Sequence, residues 1–181
     1  MAIGERVLIT AIAVVSSLTA CREQPALTES EVVVTVEAAV LESLGDLPYK
    51  HPLGTAEAVC FQSPPVPEVH HEGAMEPLVP LSAEVLGELG ARFAEATGLR
   101  VHAPDGCGGW YADDDGPDGI HERGTEAPAL LIEVFQPVRA GGGLLVPVAM
   151  QAGPLWGWVD QCLVSTIELE TSAECTRVAV S

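Results

Sequence analysis

The sequence predicts an α+β fold in which helices pack on one face of a curved antiparallel sheet of about four to six strands. Three observations lead there. Helical signals fall in the first half of the chain, and consecutive strand-like runs fill the last third (129–136, 143–151, 158–170 and 175–181). Helices segregated from a run of strands are the pattern of α+β domains. Within the runs, Leu130, Ile132 and Val134 alternate, as do Leu144, Val146, Val148 and Met150, which is the period of a half-buried strand. Finally, the chain has 181 residues, 48% of them apolar, with 18 Gly and 14 Pro, a length and composition that suit one globular domain.

The elements follow in order. Residues 7–18 are twelve residues without a charge. That is too short for a membrane-spanning helix, which needs about 20, and it suits the apolar region of a signal peptide. Residues 1–20 are therefore expected to be a signal peptide, 21–29 a short tether reaching no more than roughly 30 Å, and 30–181 a single domain. Ser30 is a candidate cap for a helix through residue 44, with Val33, Val36, Val40 and Leu44 near helical spacing. The β-branched run 32–36 leaves a strand open as the alternative there. Residues 56–62 read as a strand, and 63–80 carry too many prolines for regular structure. The clearest helix starts at the cap Ser82 with Glu84 in its first turn. It shows Leu86, Leu89 and Phe93 on one face and stops at Gly98. A short strand, 99–103, precedes a polar loop, 104–126. In the last third Pro147 removes one ladder donor, which suggests an edge or a bulge.

Charge excludes some functions. Eight Lys and Arg stand against 26 Asp and Glu, a net charge of −18. Nucleic-acid binding needs clustered cations to displace counterions, and a grip on anionic headgroups needs a polybasic patch. Neither nucleic acid nor a bare anionic lipid surface is an expected partner.

Leu18-Thr19-Ala20-Cys21 resembles the lipobox of bacterial lipoprotein precursors. The resemblance implies a diacylglyceryl thioether on Cys21, cleavage before it and a lipid anchor such as palmitate on the mature N-terminus. Arg22 follows, and in Gram-negative lipoproteins of this class an Asp at that place marks inner-membrane retention. The implied location is thus the bacterial cell envelope, at the outer membrane in a Gram-negative organism. With Cys21 so used, Cys60, Cys107, Cys162 and Cys175 remain. In an exported chain they read as two disulfides. No close pair favours zinc, since the nearest spacing is thirteen residues. The expected pairs are Cys162–Cys175, opposite each other across an antiparallel hairpin, and Cys60–Cys107.

The stretches PLSAEVLGELG, the Cys107 loop, TEAPALLIEV, WGWVDQC and CTRVAVS together are similar to uncharacterised secreted domains of cystatin-like or SnoaL-like shape. That resemblance implies a curved sheet able to hold a pocket, and it fixes no function.

Candidate chemistry is sparse. Asp113, Asp115 and Asp118, with Asp114, crowd a glycine-rich loop in the way hard cations such as calcium prefer. In an EF-hand register begun at Asp114, however, Gly116 and Thr125 occupy ligand positions, so a solvated acidic loop is the plainer reading. His70, His71 and Glu72, and His121 with Glu122, offer metal-ligand atoms without the spacing of a zinc peptidase. His51 reads as a surface residue and His102 as a core-edge residue. Trp156 and Trp158, two apart in an extended run, could form an aromatic ligand platform or fill the packed side of the sheet. No cofactor motif appears. Two function classes stay open. One is a non-catalytic binding or structural module for a protein, glycan or small apolar ligand. The other is a small enzyme of hydrolase or isomerase type using the sheet's pocket.

Overall fold

The computed structural model describes residues 26–45, 50–51, 54–64, 78–108, 119–125, 127–140, 142–153, 156–167 and 170–180. The expected signal peptide, Cys21, the His70–His71–Glu72 cluster and Asp113, Asp114, Asp115 and Asp118 lie outside them. In chain order the elements are α1 (Glu29–Leu44), β1 (Lys50–His51), β2 (Gly54–Thr55), β3 (Ala58–Gln62), α2 (Ala83–Thr97), β4 (Arg100–His102) and a single 3₁₀ turn (Pro104–Gly106). Then come β5 (Cys107–Gly108), β6 (His121–Glu122), β7 (Ala129–Val134), β8 (Val138–Ala140), β9 (Gly143–Gly153), β10 (Trp156–Ile167) and β11 (Glu170–Val180).

Helix α1 is capped by Thr28, not Ser30. The Thr28 hydroxyl accepts the Glu31 N–H at 3.3 Å and the Glu31 carboxylate accepts the Thr28 N–H at 2.8 Å. This reciprocal box needs an acid three residues after the cap, and Ser30 has Val33 there. The run 32–36 stays helical because Val32, Val33, Val36, Ala39 and Val40 are buried in the core, and packing overrides weak propensity. Helix α2 begins and ends where the sequence predicts. Ser82 accepts the Val85 N–H at 3.2 Å, and Gly98 closes it at φ +74°, a left-handed conformation suited to glycine. Its buried face is Val85, Leu89 and Phe93, with Leu86 on the flank.

Seven strands form one mixed sheet in the order β11-β10-β9-β7-β3-β4, with β8 also pairing β9. The fold is α+β as expected, but the sheet is larger than four to six strands and is not wholly antiparallel. Strand β3 runs parallel to both β4 and β7. The reason is the connection: β3 reaches β4 through α2, and a crossover of that length returns the chain in the same direction. From β7 to β11 the chain is an antiparallel meander. Pro147 lies in the interior of β9, opposite a bulge between β7 and β8. Val134 pairs with Val148 and Val138 with Leu145, so residues 135–137 stand opposite only 146–147. The extra residue is used, because Phe135 bridges to Pro80 and the Gln136 N–H donates to Val79 at 2.8 Å. Ser63 ties the same corner, donating to the Val134 carbonyl and accepting the Leu81 N–H.

The main core lies between the two helices and one sheet face. It combines the α1 valines, Leu89 and Phe93 with Phe61, Leu130, Ile132, Val148, Met150 and Val164. Phe61 and Phe93 meet edge to face, centroids 5.3 Å apart. On the opposite face a smaller cluster gathers Ala58, Cys60, Cys107, Ile120, Ala129 and Leu131. Strand β7 is thus buried on both faces, which is why ALLIEV reads as a nearly continuous apolar run.

The cysteines pair as Cys60–Cys107 and Cys162–Cys175. The second lies directly across the β10–β11 ladder, with Cα atoms 4.0 Å apart. By chain entropy, closing the 13-residue loop contributes about 3 kcal/mol and the 47-residue loop about 4.

Because Leu89 is fully buried and Leu86 flanks it, Leu89→Ala should lower unfolding free energy by about 2–5 kcal/mol. Leu86→Ala should cost less than half as much. Urea titrations of both variants with the disulfides intact measure this; equal losses would contradict the assigned helix face.

Candidate functional site

The best-defined cluster of ionisable groups sits at the β4 edge of the sheet. Strand β4 supplies Arg100 and His102, and Glu57 precedes β3. Glu122 comes from β6 and Thr125 from the turn after it. The Cys60–Cys107 disulfide brings these together. Cys60 is level with His102 in the β3–β4 ladder, and Cys107 is level with Glu122 in the β5–β6 pair. One cross-link therefore carries Glu122 to the edge strand.

Glu122 is buried at 6% exposure. Its Oε1 accepts from Arg100 Nε at 3.1 Å and from His102 Nε2 at 2.6 Å. Its Oε2 accepts from Arg100 Nη2 at 3.0 Å and from the Thr125 hydroxyl at 2.5 Å. The Thr125 hydroxyl, then the Arg100 guanidinium and the His102 ring, hold its carboxyl down at about 2. Glu122 and Glu57, the latter 3.3 Å away, push the Arg100 guanidinium above its ordinary value. Since an ionised carboxylate only accepts, His102 must carry a proton on Nε2, and neutral His102 keeps Nδ1 as its acceptor. Gly106 stands against this ring, where an added Cβ would lie 2.6 Å from the His102 Cβ. His102 also borders a cavity of about 390 Å³ between α2 and β4, lined by Phe61, Leu86, Gly90, Ala94 and Val101. The arrangement can orient an imidazole at the rim of an apolar hollow.

A second buried carboxylate, Asp160, lies on the helix side of β10. Arg177 of β11 donates to it twice, at 3.0 and 3.1 Å, and the Ser43 hydroxyl of α1 donates at 2.5 Å. The guanidinium also lies 5.0 Å from the centroid of Trp158. This cluster ties the C-terminal end of α1 to the β10–β11 hairpin.

The residues singled out by sequence fare unevenly. Trp158 is 8% exposed and belongs to the main core, so it fills the packed side rather than offering an open platform; the side chain of Trp156 is outside the described set. His102 is at the edge as expected, with an ionic partner that spacing alone did not reveal. Of the pair His121–Glu122, Glu122 is committed to Arg100 and His102. Among the described residues no three His, Cys, Asp or Glu side chains gather to hold a metal ion. The Asp160–Arg177 pair was missed although a signal existed. Asp160 lies two residues before Cys162 and Arg177 two after Cys175, so a disulfide across an antiparallel ladder places them opposite each other. No protein-family model, curated protein or solved structure matches this chain.

Two outcomes are expected. The folded-state value of Glu122 is depressed, so its stabilisation is present above about 4.5 and is lost as pH falls towards about 2. Wild-type Tm should therefore drop more steeply over that window than the Tm of Glu122→Gln, as calorimetry across pH will show. Arg177→Ala leaves Asp160 buried without its cation and should cost about 2–3 kcal/mol. Part of that should be recovered in the Asp160→Asn/Arg177→Ala double variant, measured by urea unfolding.

Proposed function

We propose that the protein is an exported, lipid-anchored module of the bacterial cell envelope, with a binding or structural role rather than a catalytic one. The observation that carries the reading is the commitment of Cys60, Cys107, Cys162 and Cys175 to two cross-links, which is the cysteine usage of an oxidising compartment. The lipobox-like Leu18-Thr19-Ala20-Cys21 supplies the anchor, and the outer membrane is its place in a Gram-negative organism. Among the described residues no helix is long and apolar enough to cross a membrane. Glu122 itself, its carboxyl held at about 2, is too weak a base to move protons near neutrality, so its part is to orient its partners. We read the cystatin-like resemblance as carried by α2, the Cys107 loop and the β7–β11 meander, which hold PLSAEVLGELG, TEAPALLIEV, WGWVDQC and CTRVAVS. A small hydrolase or isomerase is the second reading, and what favours it is the imidazole of His102, oriented by Glu122 beside the α2–β4 hollow.

Replacing Cys21 by Ala should abolish palmitate labelling and leave an uncleaved precursor on intact-mass analysis. Two or three acyl chains, each buried methylene contributing about 0.8 kcal/mol, hold the wild type at a membrane. A wild-type chain recovered cleaved, unlabelled and free in the medium would refute the anchor.

A further inference from the structure

The two edges of the sheet differ. Strand β4 closes one edge with three residues, whereas β11 runs eleven residues along the other. Among the described residues nothing pairs with the outer side of β11. Edge strands are ordinarily protected by prolines, lysines, bulges or short length. Strand β11, ETSAECTRVAV, has neither Pro nor Lys, and the one irregularity in its pairing with β10 falls near its far end, opposite Val159 and Asp160. Its outer N–H and C=O groups are a template for one more strand.

Helix α1 lies beside that edge. Val34, Ala38 and Leu41, at i, i+4 and i+7, form a half-buried stripe next to the fully buried one. With Thr171, Ser172 and Ala173 they line a groove of about 720 Å³, bordered by Glu37 and the exposed Glu42. Ala173 and Cys175 pack towards the helices, so their neighbours in β11 point to the other face. There Glu170, Ser172, Glu174, Thr176 and Val178 are exposed. A strand added to β11 would send alternate side chains into the groove against Val34, Ala38 and Leu41. The intervening ones would stand beside Glu170 and Glu174. The first set calls for apolar residues and the second for cations.

We propose that the outer edge of β11, together with the α1 groove, docks an extended segment of a partner polypeptide in which apolar and basic residues alternate. Main-chain pairing supplies the affinity in this mode and the alternating side chains supply the selectivity. A second copy of this chain fits poorly, since each carries −18 and like net charges repel. The inference rests on the binding role proposed above, but not on lipidation at Cys21.

The test uses the full chain in detergent and a fluorescein-labelled octapeptide of alternating valine and lysine. The control is a peptide of the same composition with its four valines and four lysines in two blocks. The alternating peptide should bind at least about tenfold more tightly by anisotropy, and Glu170→Lys/Glu174→Lys should weaken it by about tenfold or more. Amide hydrogen exchange should slow along residues 171–178. Equal binding of the block peptide would reduce the effect to bulk charge attraction and overturn the proposal. So would protection away from β11, or a dimer in sedimentation that covers β11. These failures leave palmitate labelling of Cys21 unaffected, so they are separable from failure of the envelope reading.

Discussion

Strands β3 and β7 lie side by side, parallel, in the interior of the sheet, and nearly every side chain they carry is buried on one face or the other. That double burial is the constraint to which the other parts answer. On the helix side, Val59, Phe61, Leu130, Ile132 and Val134 require a cover, which α1 and α2 provide. Each such side chain contributes about 1.5–3 kcal/mol when taken out of water. On the other side, Cys60 and Leu131 require a second cover, and Cys107 and Ile120 belong to it. The Cys60–Cys107 bond secures this second layer to the strand it protects.

Electrostatics follow the same plan. With 8 basic residues against 26 acids, a cation in this chain is scarce, and Arg92, Arg100 and Arg177 tie elements together. Arg92 of α2 holds Glu37 of α1 at 2.6 Å. Arg100 draws Glu122 and Glu57 to the edge strand, and Arg177 locks Asp160 beneath the end of α1. Two of the four acids so held, Glu122 and Asp160, are buried, where an unpaired charge would be costly. A strongly acidic domain repels itself, and these pairs sit at the seams where that repulsion would otherwise loosen the packing.

The same arrangement shapes what the surface can do. The β4 edge is short and its side chains are bound up in the Glu122 cluster, with the α2 hollow beside it. The β11 edge is long and regular, cross-linked to β10 and backed by α1. An edge held by a disulfide and a buried ion pair is rigid, and rigidity lowers the entropy lost when a partner is ordered against it.

Much of the local structure was legible from sequence. Ser82 and Gly98 delimit α2, apolar runs mark β7 and β9 although their alternation gives way to burial on both faces, and the hairpin register places Cys162 opposite Cys175. Thr28 with Glu31 was equally legible as a capping box, although Ser30 competes for the role. These signals act over a few residues, or across one tight hairpin, so neighbouring chain is enough to determine them. Tertiary structure alone decided that β3 enters between β4 and β7, that both neighbours run parallel to it, and that Arg100, His102 and Glu122 converge. The Gln62–Glu133 hydrogen bond across β3 and β7 spans 71 residues, and no local pattern specifies a partner at that distance. Which strands pair there is set by which arrangement buries both faces of β7 at once, a property of the assembled layers and not of any segment.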